Sequence, residues 1–285
     1  FGALHQSRRC NEPMRIWYRF RVLTDGKRAG PDAWVQGYSF RNPPSDKEHF
    51  FKKYLVGIYR DWDNFIRLQI SAPNDVLAIG SGPAINELHL IDHGFKVTCS
   101  DLVIPPSYGQ AKEIFGSFPY VEYDALKEEP YRLFDSVICL SVMYLFDERA
   151  MNLFFENMRK GLTDGGRLIL DGAGPEDSLF SYLWDNLVLC PEKYMLALRR
   201  SLFNRTMSRV EKEPHGFKYK NKEIIAIAKS HGFELVRVHN YSFLTEFRRS
   251  GLIRWFTDGS RVAHFLFTQL GRLNPYVRMF AFVKR

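Results

Sequence analysis

The sequence is short of cysteine and has no long hydrophobic run, and each shortage excludes something. Four cysteines stand among 285 residues, Cys10, Cys99, Cys139 and Cys190, with no Cys-x-x-Cys pair. That spacing is unlike a disulfide framework or a zinc site, so no metal is expected. Cys99 and Cys139 lie inside apolar runs that read as buried strands. Reduced thiols and a cytoplasmic setting are the resulting expectation. No stretch of about 18 apolar residues occurs, so no segment is predicted to span a membrane. The polar opening, Phe1 to Pro13, lacks the apolar block of a secretory signal. Internal repeats and low-complexity tracts are absent too.

What is present describes a folded chain. Apolar residues make up 45% and charged residues 25%, enough of each for a sizeable core under an ordinary surface. The aromatic share is 15%, with 24 Phe and 14 Tyr, which fits either a ring-lined ligand pocket or an aromatic-rich core. The net charge of +8 is unevenly placed. Residues 1–49 carry nine basic and five acidic side chains, residues 50–174 twelve and seventeen, and residues 175–285 nineteen and ten. An anionic partner would therefore meet the flanks; a basic, merely solvated face is the plain alternative.

Periodicity predicts an alternating α/β order. Apolar residues from Phe50 to Ile70 recur at helical spacing, with Ser45 or Asp46 as cap, predicting one helix over 46–70. A short apolar run over 75–79 ends at Gly80-Ser-Gly82-Pro83 and leads into a helix over 83–93, stopped by Gly94. Strands are predicted at 95–100, 120–123, 134–141, 167–171, 234–239 and 277–283, and helices at 107–115, 147–161 and 221–230. Strands alternating with helices imply crossover units and a parallel sheet. Two stretches break the alternation and read as helical cap insertions, 174–219 and 240–275. The chain is thus expected to divide into an N-terminal extension, 1–45, and a main domain, 46–285, that carries both insertions.

The segment Asp75-Val-Leu-Ala-Ile-Gly-Ser-Gly-Pro83 carries the chemistry. Glycines at 80 and 82 let the backbone turn sharply and let a ligand approach where a Cβ would collide, and the helix start beyond offers free amides to an anion. A bare Gly-x-Gly also serves as a plain strand-to-helix turn. Asp101 ends the next strand, where a carboxylate accepts hydrogen bonds from ribose hydroxyls. Asp124 ends the third, where a side chain can meet an adenine amino group. A dinucleotide fingerprint wants a third glycine at 85, and Ile85 stands there, against nicotinamide and flavin cofactors.

These residues together resemble class I S-adenosylmethionine-dependent methyltransferases. Asp75–Pro83 is similar to their first motif, and Val97-Thr-Cys-Ser-Asp101 to the strand ending in their ribose-binding acid. Glu122-Tyr-Asp124-Ala125 resembles their adenine-contacting site. Phe134-Asp-Ser-Val-Ile-Cys-Leu-Ser141, followed by Leu162-Thr-Asp-Gly-Gly166, resembles their fourth strand and the turn before the fifth; His231-Gly-Phe resembles the entry to the sixth. The resemblance is dense over 72–173 and loose beyond. It implies a three-layer Rossmann-like sandwich whose seven-stranded, mostly parallel sheet ends in an antiparallel strand. It also implies S-adenosylmethionine as cofactor, held by Gly80, Ser81, Gly82, Asp101, Leu102, Asp124, Ala125 and Ser141. Two departures stand out: Leu145 occupies the place where many small-molecule members carry a His, and Asn42-Pro43-Pro44 lies upstream of the first motif and lacks the ring of the amino-methylating signature, so it reads as a turn.

Methyl transfer is an in-line displacement that asks mainly for alignment and exclusion of water, with a base only where the acceptor must lose a proton. No triad is visible. Tyr144, Glu176 and His215, and further along Glu246, are the candidate catalytic groups, each with a structural or solvated reading beside it. Arg248, Arg249, Arg254 and Arg261 flank Leu252, Ile253, Trp255 and Phe256, and Ser260 is positioned to cap a helix presenting Val262, Phe265, Leu266 and Leu270. Such a segment either docks on an anionic membrane or lipid-linked substrate, or packs its apolar face on the sheet. The expected function is methylation of an oxygen or nitrogen on a small or lipid-linked acceptor, such as a glycan or isoprenoid intermediate. An RNA methyltransferase and a non-catalytic S-adenosylmethionine-binding protein are the alternatives.

Overall fold

Helices form where a cap and an apolar stripe coincide. In the computed structural model, which describes residues 38–40, 42–173, 219–240, 259–273 and 277–285, Asp46 caps α1 (Lys47–Tyr54). Its carboxylate accepts a hydrogen bond from the His49 N–H at 2.9 Å, and Phe50 and Tyr54, four residues apart, turn inward. Gly57, at φ +60°, then breaks the run, and α2 (Ile58–Gln69) starts afresh. The single helix expected over 46–70 is therefore two, because an apolar period passes through a left-handed residue that helical backbone does not.

The chain divides into two compact units: residues 1–63 with 72–124, and residues 64–71 with 125–285. In the first, β1 (Asp75–Ile79), β2 (Lys96–Asp101) and β3 (Tyr120–Glu122) run parallel, with Ile79 opposite Ser100 and Asp101 opposite Glu122. The crossovers are α3 (Ile85–Asp92) and α4 (Ser107–Phe115). In the second, β4 (Phe134–Cys139) and β5 (Leu162–Ala173) run parallel and are joined by α5 (Glu148–Gly161). Asp147 caps that helix, its carboxylate accepting from the Ala150 N–H at 2.7 Å. After α6 (Asn221–Ser230) come β6 (Phe233–Asn240), α7 (Arg261–Leu273) and β7 (Val277–Lys284), which pairs antiparallel with both β5 and β6. The strand order β3-β2-β1-β4-β5-β7-β6 makes a seven-stranded, mostly parallel sheet flanked by helices, its last strand antiparallel.

Several boundaries differ from expectation, and β4 stops at Cys139, two residues short of Ser141. α3 begins at Ile85 and not at Pro83, because Ala84 sits left-handed at φ +58°. β3 stops at Glu122, which leaves Asp124 two residues beyond the strand. β5 begins at Leu162, ahead of Arg167: Leu162 pairs with Phe134 before the register slips and Arg167 pairs with Ser136, so the Gly165-Gly166 turn lies within the strand as a bulge. A second register shift, between Leu235 and Arg237, bends β6. The N-terminal extension up to residue 37 and most of both expected caps, with Glu176, His215 and Glu246, lie outside the described residues.

Many of the described aromatic residues pack into cores. In the first unit Phe50 meets Phe40, Tyr54 and Phe115 with ring centroids 4.8–5.0 Å apart. Gln110 holds Phe40 there, accepting from its N–H at 2.6 Å and donating to its carbonyl at 2.9 Å. In the second, the fully buried Phe155 packs against Phe154, Phe233 and Phe282. Removing that ring leaves a void that backbone cannot collapse to fill. Phe155→Ala is expected to cost about 3–5 kcal/mol in urea unfolding, and a variant as stable as the wild type would contradict this packing.

Candidate functional site

In the first unit the tip of β1 is a loop of alternating left-handed residues: Gly80 at φ +67°, Gly82 at +51° and Ala84 at +58°. Such a path is strained for most side chains and persists only where its surroundings fix it. Ser81 and Ser100 do so first. The Ser81 N–H donates to the Ser100 carbonyl at 2.9 Å, the Ser100 N–H donates to Ser81 Oγ at 3.2 Å, and Ser100 Oγ donates to the Ala78 carbonyl at 2.8 Å. The Ser81 hydroxyl, itself donating to Ala78 at 3.1 Å, is thus buried in the loop's own scaffolding. Tyr120 adds a further tie, its hydroxyl donating to the Gly82 carbonyl at 3.0 Å.

Asp101 completes the loop. Its Oδ2 accepts from the Gly82 N–H at 3.0 Å and its Oδ1 from the Leu102 N–H at 2.8 Å. Burial pushes the Asp101 carboxyl above the usual range, while these two amides pull it back. Each oxygen bonds one amide and keeps a further lone pair for a hydroxyl. The Tyr123 N–H donates to the Asp101 carbonyl at 2.9 Å, which sets Asp124 beside the same strand end. Gly80, Ser81, Gly82, Asp101 and Leu102 are brought together in this unit. Ala125, Ser141 and Tyr144 belong to the second.

Two residues at the loop carried no signal in the sequence. Tyr38 lies against it closely enough that a Cβ on Gly82 would come within 3.1 Å of the ring, although residue 38 falls in the expected extension. Glu87, in the first turn of α3, is buried beside Ser81 and Asp101. Burial foremost, then the charge of Asp101, raises its carboxyl to about 7, against the pull of backbone and Ser81 hydrogen bonds. Ala84 at the N-cap offers no side-chain acceptor to the first-turn amides of α3, although the buried Glu87 carboxyl bonds its own N–H there.

The second unit repeats the device at the end of β4. Ser141 is left-handed at φ +58°, and its N–H donates to Asp171 Oδ1, on β5, at 2.7 Å. Asp171 is buried, which raises its carboxyl to about 7. A single 3-10 turn, Met143–Leu145, follows and carries Tyr144, half-buried, its phenol pushed up to about 12 by burial and by the nearby Asp171 charge. At neutral pH Tyr144 is a hydrogen-bond donor and a poor base. Leu145, in the place of a family histidine, is exposed. The Ala125 carbonyl accepts from Asn157 Nδ2 at 3.0 Å. His93 and His231 close α3 and α6 as C-caps.

An open hollow lined by Pro44, Asp46, His49, Lys52 and Lys53 shares no residue with the loop. Among the described residues no group of three or more His, Cys, Asp or Glu is placed to hold a metal ion. Burial pushes the Cys99 thiol well up, which leaves it an inert core residue.

Glu87 and Asp171 couple stability to pH. Each carboxyl rises from an ordinary 4.5 or 3.8 to about 7 on folding, so the folded state keeps protons that the unfolded state releases. Their cost is absent below the unfolded values and grows as pH rises through about 7. Glu87→Gln and Asp171→Asn are each expected to flatten the loss of urea stability between about pH 5 and about pH 8. Equal losses in wild type and variants would show that these groups are not the source.

No protein-family model matches the sequence, and no curated protein sequence matches it. Solved structures do. The chain is similar to 1,6-didemethyltoxoflavin-N1-methyltransferase of Burkholderia thailandensis, crystallised with 1,6-didemethyltoxoflavin and S-adenosylhomocysteine, at 13% identity and a TM-score of 0.51 over 92% of this chain and 93% of that one. It is also similar to TehB from Haemophilus influenzae (15%, 0.50, over 84% and 66%) and to the pyocyanin biosynthetic protein PhzM (14%, 0.51, over 90% and 62%). At these identities the likeness is one of fold: the chain folds as the class I S-adenosylmethionine-dependent methyltransferases do.

Proposed function

We propose that this chain is an S-adenosylmethionine-dependent methyltransferase acting on an oxygen or nitrogen of a small or lipid-linked acceptor. The observation that carries the reading is the loop of the first unit, bent through Gly80 and Gly82 and tied by the Gly82 N–H to Asp101 at 3.0 Å. The residues suit an adenosyl amino acid. Asp101 keeps lone pairs for ribose hydroxyls, Asp124 stands near the same strand end for an adenine edge, and the uncapped first turn of α3 offers amides to a carboxylate. Leu102, exposed beside Asp101, supplies an apolar edge for the base. S-adenosylhomocysteine in the Burkholderia relative is in keeping with this choice of ligand.

The bound cofactor would supply an electrophilic methyl on a sulfonium. The protein's part is to orient and to keep water away. Ala125, Ser141 and Tyr144, which the sequence suggests for the cofactor and acceptor, stand in the second unit. Tyr144, held protonated, donates a hydrogen bond to the acceptor and does not take its proton. A nitrogen acceptor already carrying a lone pair needs no base, and the Burkholderia relative is named for methylation at a nitrogen. Where a hydroxyl is the acceptor, the base is assigned to Glu176, His215 or Glu246, outside the described residues.

Isothermal titration of the full chain with S-adenosylmethionine and S-adenosylhomocysteine tests the reading. Both are expected to bind, and Asp101→Ala to weaken each by about tenfold to a hundredfold, the worth of charged hydrogen bonds. Absence of measurable binding would remove the proposal. Binding without release of S-adenosylhomocysteine across a panel of nucleophilic small molecules and RNA would leave a non-catalytic binding protein in its place.

A further inference from the structure

The sequence left two readings of the segment after Ser260, an apolar face packed on the sheet or one turned outward. α7 (Arg261–Leu273) is capped by Ser260, whose Oγ accepts from the Ala263 N–H at 3.2 Å. Ala263 is the side chain that turns inward, 5% exposed. Val262, Phe265 and Leu266 are 68%, 60% and 53% exposed. At positions i, i+3 and i+4 they share one helix face, so this is a stripe and not three scattered residues. Single apolar residues on a surface are ordinary; a Phe and a Leu side by side with a Val, all more than half exposed, mark a contact surface.

The charge around the stripe selects what it contacts. α7 contains no Asp or Glu, and Arg261 opens it exposed to solvent. A second copy meeting this face would set basic against basic. Nucleic acid would answer the charge but gives Val262, Phe265 and Leu266 nothing apolar to enter. An anionic bilayer surface satisfies both demands, with acyl chains below for the stripe and headgroup phosphates above for the arginine. No described helix is long and apolar enough to cross a membrane, and at 13 residues α7 suits the interfacial plane.

We propose that α7 is a peripheral membrane anchor that seats Val262, Phe265 and Leu266 in the acyl boundary of an anionic bilayer, with Arg261 at the phosphates. The surface is independent of the methyl-transfer reading and stands or falls separately from it.

Flotation of the full chain with vesicles of phosphatidylcholine alone, and of phosphatidylcholine and phosphatidylserine in equal parts, provides the test. The wild type is expected to float with the anionic vesicles, and less as salt rises. The double variant Phe265→Ser/Leu266→Ser is expected to lose about tenfold or more in vesicle affinity while keeping its melting temperature. Arg261→Glu, which leaves the apolar stripe intact, is expected to weaken anionic binding alone. Failure of the wild type to float, or flotation of the double variant equal to wild type, overturns the proposal. So does a wild-type dimer in sedimentation that the double variant splits without any response to lipid, which would make the stripe an interface between copies.

Discussion

One backbone amide and one carboxylate hold the candidate site together. The bond from the Gly82 N–H to Asp101, at 3.0 Å, ties the loop beyond β1 to the tip of β2. Without it the left-handed sequence of Gly80, Gly82 and Ala84 would have little reason to persist, since each such residue outside glycine costs free energy. The serine pair at 81 and 100 and the Tyr120 hydroxyl reinforce the same bend. Burying the Asp101 carboxylate opposes folding, and the two amides it accepts offset much of that cost. Shape and charge at the loop are thus one arrangement. The residue that fixes the backbone also presents the acceptor atoms.

The same solution occurs twice. In the second unit Ser141, left-handed past the end of β4, gives its N–H to Asp171 on the neighbouring parallel strand β5. In both units an acid on the next strand locks a reversed backbone at a strand tip. Parallel strands make this possible, because their carboxyl ends lie together and a side chain from one reaches the loop of the other. In the second unit burial leaves the acid half-titrated near neutrality, with the phenol of Tyr144 close by. In the first, that condition falls to Glu87, set behind the loop.

Much of this was legible in the sequence, for reasons that particular residues make clear. β1, α4 and α6 begin and end where predicted because turn residues bracket them, as Gly80 and His231-Gly232 do. The seven-stranded sheet, and its antiparallel last strand, came from a resemblance spread over several segments. What escaped depended on distant parts of the chain or on single dihedral angles. Gly57 and Ala84 turn left-handed without breaking any apolar period. That the Ser81 hydroxyl bonds the Ala78 carbonyl is a tertiary fact that the sequence does not carry. Glu87 and Asp171 read as ordinary helix and strand acids, since only tertiary packing buries them. Tyr38 reaches Gly82 from a segment with no periodic signal at all.

The bend in β6 bears on how the molecule behaves when crowded. Among the described strands β6 stands at the end of the sheet order, and an edge strand of that kind is a template on which other chains assemble. The slip between Leu235 and Arg237 spoils the even ladder that such stacking needs, and Arg237 places a positive charge along it. An edge irregular in spacing and charged is a poor seed for fibrils. The bulge thus leaves this edge of the sheet poorly matched to an incoming strand.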